Sequence, residues 1–595
     1  MSYLVLLIFG LLLFAVIKGK TILSPSGILI VILTALVSVL LLFFSSMVEV
    51  KYVGLIYMAI GMAVCLAGYV TALKFSPRNI VTRRNIVFKR RLALYVLFSL
   101  TLFGFINPVY NIYSHGFSIL DLFNFEQITE MSKHFSWERY SDETTYSKFV
   151  QLFLIFTYTA PVIGGFCCFL VKKRIHKTLC ALTVAPCLLI TLSQSTKMQM
   201  IVSIFLWIAG LLTAGYTYNI KIKITLKIVI VGICSAIVCM TALFFISLAR
   251  WNNDIDNKAI VNGKNAFIES SLGSLLCFDH WFYDNIKGID YSTRLLQNSS
   301  VHRWDRLEYI ENGIRVHFPE PINDQSLEII GRRLDDCKYF AGNHYTVQFD
   351  IKSNQQLDSA RITLVSYSTL PHGHYVIKMD HCEQTGLHTW HYSTTFCLDS
   401  TRSCVTTPDL LFSSNHLTYI EVSKFRIDTG SVAFPWINGN SNIFWHKDGL
   451  KCGVMTFFGI ANLLGIEHRM PGVYRDYVLF SKGDYELRSN VYTIFRMLID
   501  DFGKVGALIF LLLLGFASGK AVVFIQKRKM IFVCQAFLIA VYSYVLWGFV
   551  ASIWAYTSII ASYVLSFFIF SILQKPLHGD TWVTKITKKL KSKQK

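Results

Sequence analysis

The chain has 595 residues, of which 53% are hydrophobic, 14% aromatic and only 16% charged, with a mean hydropathy of +0.45. That composition excludes an ordinary soluble protein, and the length excludes a single domain. The formal net charge of +20 would suit nucleic acid, but the basic residues fall in short clusters beside apolar runs. That is the placement of the positive-inside rule, so nucleic acid is set aside as a partner.

In chain order, runs apolar and long enough to cross a bilayer are expected near residues 3–17, 26–46, 52–73, 92–110, 149–171, 178–194, 199–217 and 225–248. After a long polar gap come three more, near 505–525, 531–549 and 554–573. The first run, YLVLLIFGLLLFAVI, lacks a basic n-region and a small-residue cleavage site, so it reads as a retained span. The most basic connection is KFSPRNIVTRRNIVFKRR, with Lys74, Arg78, Arg83, Arg84, Lys89, Arg90 and Arg91, and it is assigned to the cytoplasm. Counting outward from it puts Lys18 and Lys20, Lys172, Lys173 and Arg174, Lys221, Lys223 and Lys227, Lys527, Arg528 and Lys529, and the tail KITKKLKSKQK inside. The loop with Glu126, Glu130, Glu138, Asp142 and Glu143 then lies outside, as does everything from Arg250 to about Lys504. The expected fold class is a polytopic α-helical membrane protein of about 11 transmembrane helices, N-terminus outside and C-terminus in the cytoplasm.

Within the external segment, residues 290–446 turn to short alternating runs: YTVQFDIK, ARITLVSYS, HYVIKMD, LHTWHYSTTFCL and LTYIEVSKFRID. Separated by Asn, Asp, Gly and Pro clusters, they predict an all-β sandwich. It divides the chain into 1–289, with eight spans and the start of the external loop, the β insert 290–446, and 447–595, with the rest of the loop, three spans and a basic tail. The stretches HTWHYSTTF and YIEVSKFRIDTGSVAFPW resemble late strands of the galactose-binding-like jelly rolls found in carbohydrate-binding modules. Trp304, Tyr367, Tyr375, Trp390 and Tyr392 are of the type that stacks on sugar rings, while for Trp390 a place in the core is the competing reading. His344, His372, His374, His381, His388 and His391 lack the fixed spacing of a zinc site and read as a solvated polar face. Cys397 and Cys404 bracket a hairpin-sized loop suited to a disulfide, with Cys337 and Cys382 as a weaker second pair.

With the β insert removed, LGSLLCFDHWF, CGVMTFFGIANLLGI and SNVYTIFRMLIDDFGKVGALIFLLLLG follow one another. In that order they resemble the bacterial oligosaccharide repeat unit polymerases of the O-antigen type. LSQSTKMQMIVSIFLWI and FISLARWNNDID resemble a middle span opening and a span exit of the same family. The family's arginine followed by a glycine eleven positions on is not found at Arg250, Arg469, Arg475 or Arg488, and the β insert is outside its usual pattern.

The resemblance implies a glycosyltransferase at the periplasmic face of the bacterial inner membrane. It would join undecaprenyl-diphosphate-linked oligosaccharide repeat units into surface polysaccharide, with a chain-length regulator as a partner, no cofactor and no metal. A diphosphate leaving group needs fixed cations, which guanidinium supplies bidentately. Arg250 and Arg488 are the candidate catalytic cations, Lys197, Arg469 and Arg475 candidate substrate contacts, and Arg496 a further cation; for each alone, an interfacial anchor is the competing reading. Asp279 and His280 in CFDHWF are the acid/base candidates, against a structural hydrogen-bonded pair, with Asp484 and Glu486 weaker. Trp281 and Tyr474 would shape the sugar site or belong to an aromatic belt. Asp500 and Asp501 suit the positive end of a helix dipole, and Gly503 and Gly506 suit close helix approach. Two alternatives stand: an O-antigen ligase, with His468 as its loop histidine, and a transporter or flippase of lipid-linked sugar, which the nearly charge-free spans disfavour.

Overall fold

The computed structural model describes residues 1–76, 86–124, 126–128, 130–131, 134–135, 148–194, 197–220, 268–269, 272–287, 299–301, 307–310, 313–322, 325–331, 338–339, 344–354, 357, 359–366, 373–397, 404–405, 408–414, 417–429, 452–464, 473–480, 488–527 and 529–576. Among the described residues, seven helices are long and apolar enough to cross a membrane: Pro25–Phe44, Val53–Lys74, Arg90–Ser114, Val150–Cys168, Arg174–Gln194, Met198–Tyr218 and Ile494–Gln526. Three shorter apolar helices, Ser2–Lys18, Ile531–Trp547 and Thr557–Leu573, complete the described set. The protein is therefore a multi-pass helical membrane protein, its helices matching the expected apolar runs to within a few residues except at Ile494, where the helix begins well before the run expected from 505. The expected eighth span, 225–248, lies outside the described residues.

Glycines set how the bundle closes. The 53–74 and 494–526 helices pack along most of their lengths. A β-carbon at Gly68 would lie 2.2 Å from the Leu512 carbonyl oxygen, and one at Gly515 would lie 2.0 Å from that of Cys65. Gly515 and Gly519 form a small-xxx-small pair that lets two backbones touch, the main source of helix association where lipid removes the hydrophobic drive. This corrects the expectation for Gly503 and Gly506. Gly503, at φ 72° and ψ 173°, breaks the 494–526 helix in two, and a β-carbon at Gly506 would meet only the Phe502 side chain. A second glycine contact joins helices 154–168 and 197–218, with Gly165 against the Trp207 carbonyl and Gly210 against that of Val162.

The contacts also order the two ends of the bundle. Tyr57 donates to the Lys504 carbonyl at 2.5 Å, while Gly519 touches Ala72, so the 53–74 and 494–526 helices run parallel. At their far end the chain turns at Lys527 to Met530 into the next helix, where Gln535 donates to Thr217 (3.0 Å) and Gln574 (3.1 Å). Strand Ile86–Phe88 pairs antiparallel with Gln574–Pro576 at this same end, and Lys89 N–H donates to the Leu573 carbonyl. Helix Gly273–Lys287 packs instead at the opposite end, against the start of the 53–74 helix. Thr217 and Asp279, the described residues that bracket the expected eighth span, thus lie at opposite ends of the bundle.

The described strands between 299 and 429 form two large antiparallel sheets and one two-stranded pair, Lys338–Tyr339 with Cys404–Val405. One has the order His381–Gly386, Thr389–Cys397, His344–Ser353, Leu417–Thr429, Gly313–Ile322, Leu307–Ile310; the other runs Ser299–Val301, Gln325–Gly331, Pro408–Ser414, Ser359–Ser366, Gly373–Lys378. The last long strand returns between 313–322 and 344–353, and 408–414 between 325–331 and 359–366, which is the strand order of a jelly roll. Alternation places Val347, Phe349, Ile351, Trp390, Tyr392, Ile420 and Val422 inside. Trp390 is only 6% exposed, so the packing reading holds for it. His391 meets Asp350 at 2.6 Å, whereas His381 and His388 are exposed. Cys337, the partner expected for Cys382, lies outside the described residues.

Candidate functional site

Five stretches converge at the end of the bundle marked by helix Gly273–Lys287: the 48–55 connection, that helix itself, the 452–464 turn and helix, residues 488–503, and the 548–556 connection. All three segments that carry the family resemblance are among them.

Asp279 ties the first two together. Its Oδ2 accepts the N–H groups of Lys51 (2.7 Å) and Tyr52 (2.8 Å), and its Oδ1 those of Gly54 (2.8 Å) and Leu55 (3.3 Å). The carboxylate caps the 53–74 helix in place of any local side chain, since Tyr52 at the N-cap adopts a left-handed φ of 69° and offers no cap of its own. A β-carbon at Gly54 would fall 2.5 Å from the Asp279 Cα, so glycine is what lets the helix start lie against Asp279. Burial pushes the Asp279 carboxyl up to about 6 against the opposing pull of the four backbone donors. His280 does not pair with Asp279; its Nε2 lies 2.9 Å from the Glu49 carbonyl and the residue is 4% exposed. Both side chains therefore hold the 48–55 connection.

That connection carries a pair that sequence reasoning passed over. Lys51 Nζ meets Glu49 Oε1 at 2.6 Å and lies 5.2 Å from the Tyr283 ring centroid. Its signal was a charge pair in a very short interhelical loop, VEVKYVG.

Arg496 stands at the centre of the remaining groups. Its guanidinium carbon is 3.9 Å from the Tyr492 ring centroid and 4.8 Å from that of Trp281, and Nε is 3.7 Å from Asp500 Oδ2. Asp500 lies one helical turn after it, and Tyr492 four residues before it, just ahead of the helix N-cap Thr493. The cation is desolvated by two aromatic faces, a setting that strengthens its attraction for an anion. Asp501 faces elsewhere: its Oδ1 accepts from Met455 N–H (2.9 Å) and its Oδ2 from Thr456 N–H (2.6 Å), and its carbonyl from Cys452 N–H. Asp501 thus caps the 452–457 turn, not the dipole of its own helix. Beyond that turn Phe457 stacks on Trp554 at 5.3 Å, and Trp554 on Tyr544 at 4.2 Å.

Of the other sequence-derived candidates, Arg488 opens strand Arg488–Val491, which pairs with Val473–Leu479, the strand of Tyr474 and Arg475. The backbones of all three stand at the site, and their side chains lie outside the described residues. Lys197 opens helix Lys197–Tyr218 at the same end, where Tyr556 reaches Met198 Sδ at 3.2 Å; its side chain too is outside the description. Arg250 and Arg469 fall outside it entirely. No protein-family model matches the chain, and no curated protein matches it in sequence.

Proposed function

We propose that this chain is a metal-independent membrane glycosyltransferase that polymerises undecaprenyl-diphosphate-linked oligosaccharide repeat units at the periplasmic face of the bacterial inner membrane. In this reading the chain has eleven spans, the site end faces the periplasm, and the jelly roll is an external sugar-holding module. The observation that carries it is the gathering of LGSLLCFDHWF, CGVMTFFGIANLLGI and SNVYTIFRMLIDDFGKVG, distant in sequence, into one packed unit around the desolvated Arg496. Eleven spans are supported by the opposite placement of Thr217 and Asp279, and the inside assignment by the shared end of Lys89, Arg90, Arg91, Lys527 and Lys529.

Chemically, Arg496, with Lys51 and the arginines of the 473–491 strands, supplies cations for a departing diphosphate, whose charge develops as the bond to the anomeric carbon breaks. Trp281 and Tyr492 hold the guanidinium plane in place. Asp279 and His280 position the 48–55 connection, and with it Lys51.

The test is a gel of surface polysaccharide from a strain lacking the gene. A polymerase defect leaves one repeat unit on the core; bare core with accumulated polymer means a ligase, and bare core with trapped cytoplasmic precursor means a flippase. In the complemented strain, Arg496→Ala is expected to reproduce the single-unit phenotype at normal membrane abundance, and Arg496→Lys to restore only short ladders because the stacked planar fork is lost. Full-length ladders from Arg496→Ala would remove this residue from the reaction.

A further inference from the structure

At the end of the bundle opposite the site, a cavity of about 680 Å³ opens beside the start of helix Arg90–Ser114, lined among others by Phe88, Lys89, Arg90, Arg91, Leu92 and Leu170. Its floor is fixed by the pairing of Ile86–Phe88 with Gln574–Pro576, which seats the first turn of the helix against the end of the last one. Lys89, Arg90 and Arg91 are exposed, and among the described residues none of them makes an ion pair. Lys172, Lys173 and Arg174, just past Leu170, are exposed as well. Three cations thus line a cavity that they share with Phe88, Leu92 and Leu170, and three more follow Leu170 in the chain.

The wall points to the kind of anion. From Leu92 a stripe of exposed apolar side chains follows one face of the helix: Leu92, Tyr95, Phe98 and Leu102, the last three 71%, 60% and 56% exposed. At three- and four-residue spacing these lie above one another, so the cationic mouth continues into a surface made for hydrocarbon. A soluble phosphate would use only the mouth, whereas a lipid uses both.

We propose that this cavity binds the headgroup of an anionic glycerophospholipid, with its phosphate on Arg90 and Arg91 and its acyl chain along the Leu92 to Leu102 stripe. The guanidinium forks suit phosphate oxygens bidentately, and cationic pockets between helices are a recurrent form of headgroup recognition. The site is independent of the transfer reaction proposed above, and its loss leaves that reading untouched.

The experiment uses the full-length protein in mild detergent, exposed to phosphatidylglycerol, cardiolipin or phosphatidylcholine, with bound lipid counted by native mass spectrometry. The two anionic lipids are expected to be retained and phosphatidylcholine not. Replacing Lys89, Arg90 and Arg91 together by Gln should weaken retention about a hundredfold, from the loss of three surface charges. Arg90→Lys with Arg91→Lys should recover most of it. Leu170→Trp, which fills the cavity without changing charge, should also abolish retention and guards against a charge variant that inserts wrongly. Millimolar inorganic phosphate should leave the lipid bound. Equal retention of phosphatidylcholine, unchanged retention in both the Gln variant and Leu170→Trp, or displacement by phosphate would each overturn the proposal, the last in favour of a soluble anion.

Discussion

Replacing Asp279 by Ala separates a structural carboxylate from a reacting one. The change strips the acceptor from four backbone N–H groups, of which those of Gly54 and Leu55 are buried. A buried donor left unsatisfied costs about 1–3 kcal/mol, so these two alone predict a loss of about 2–6 kcal/mol. In a chain of this size that corresponds to a fall in apparent Tm of about 2–5 °C. Asp279→Asn should lie between the two, since one carbonyl oxygen still accepts while the amide NH₂ faces the other pair of donors. The assay is thermal unfolding of the purified protein in detergent, read beside the polysaccharide ladder. An Asp279→Ala protein with wild-type Tm and no polymer would refute the capping argument and return Asp279 to acid/base duty.

The same carboxylate makes stability depend on pH in a definite sense. Its value in the fold, about 6, stands above its ordinary 3.8, so between these pH values the folded chain binds more protons than the unfolded one, and stability falls as pH rises through 6. Relative to Asp279→Asn, the wild type should therefore gain up to about 3 kcal/mol between pH 7 and pH 4, checked by paired melts. Gly515→Ala, with its β-carbon 2.0 Å from the Cys65 carbonyl oxygen, should cost about 1–3 kcal/mol through forced helix separation, visible as a lower Tm and faster proteolysis. Gly503→Ala, at a φ and ψ that only glycine adopts readily, should cost a similar amount, about 1–3 kcal/mol, and Gly506→Ala, whose β-carbon would fall 2.8 Å from that of Phe502, should also lower the Tm. Deleting 290–446 through a short Gly/Ser bridge should leave the membrane helices folded, with Tm unchanged within a few degrees.

Spans and long strands were legible because burial repeats in sequence. YTVQFDIK, ARITLVSYS and LTYIEVSKFRID foretold strands His344–Ser353, Ser359–Ser366 and Leu417–Thr429 to within about two residues, whereas 313–322 and 408–414 carry Pro and 325–331 ends its short run in two adjacent isoleucines, so these three went unread. The site was legible only in part. Its three segments could be named, and Arg496 with Asp500 at i+4 was open to a helical reading. The partners of Asp279 and Asp501 were not, since each grips backbone amides, and backbone amides leave no mark on residue type. The one trace is Gly54, forced by the Asp279 backbone 2.5 Å from its missing β-carbon.

Those two grips account for how a membrane bundle tolerates a large β insert. Asp279 fixes the outgoing chain by joining helix Gly273–Lys287 to the 51–55 amides. Asp501 fixes the returning chain by holding Met455 and Thr456, and the Ser552 hydroxyl adds a bond to the Thr456 carbonyl at 2.7 Å. Each attachment lies between the insert and the spans, so the membrane part closes on itself whatever the insert does. Lengthening a loop whose ends are already held costs little, because closure entropy grows only with the logarithm of length. Asp279, which sequence reasoning offered for chemistry, thus grips backbone amides just as Asp501 does, and Lys51 and Arg496 stand on the segments that these two grips hold.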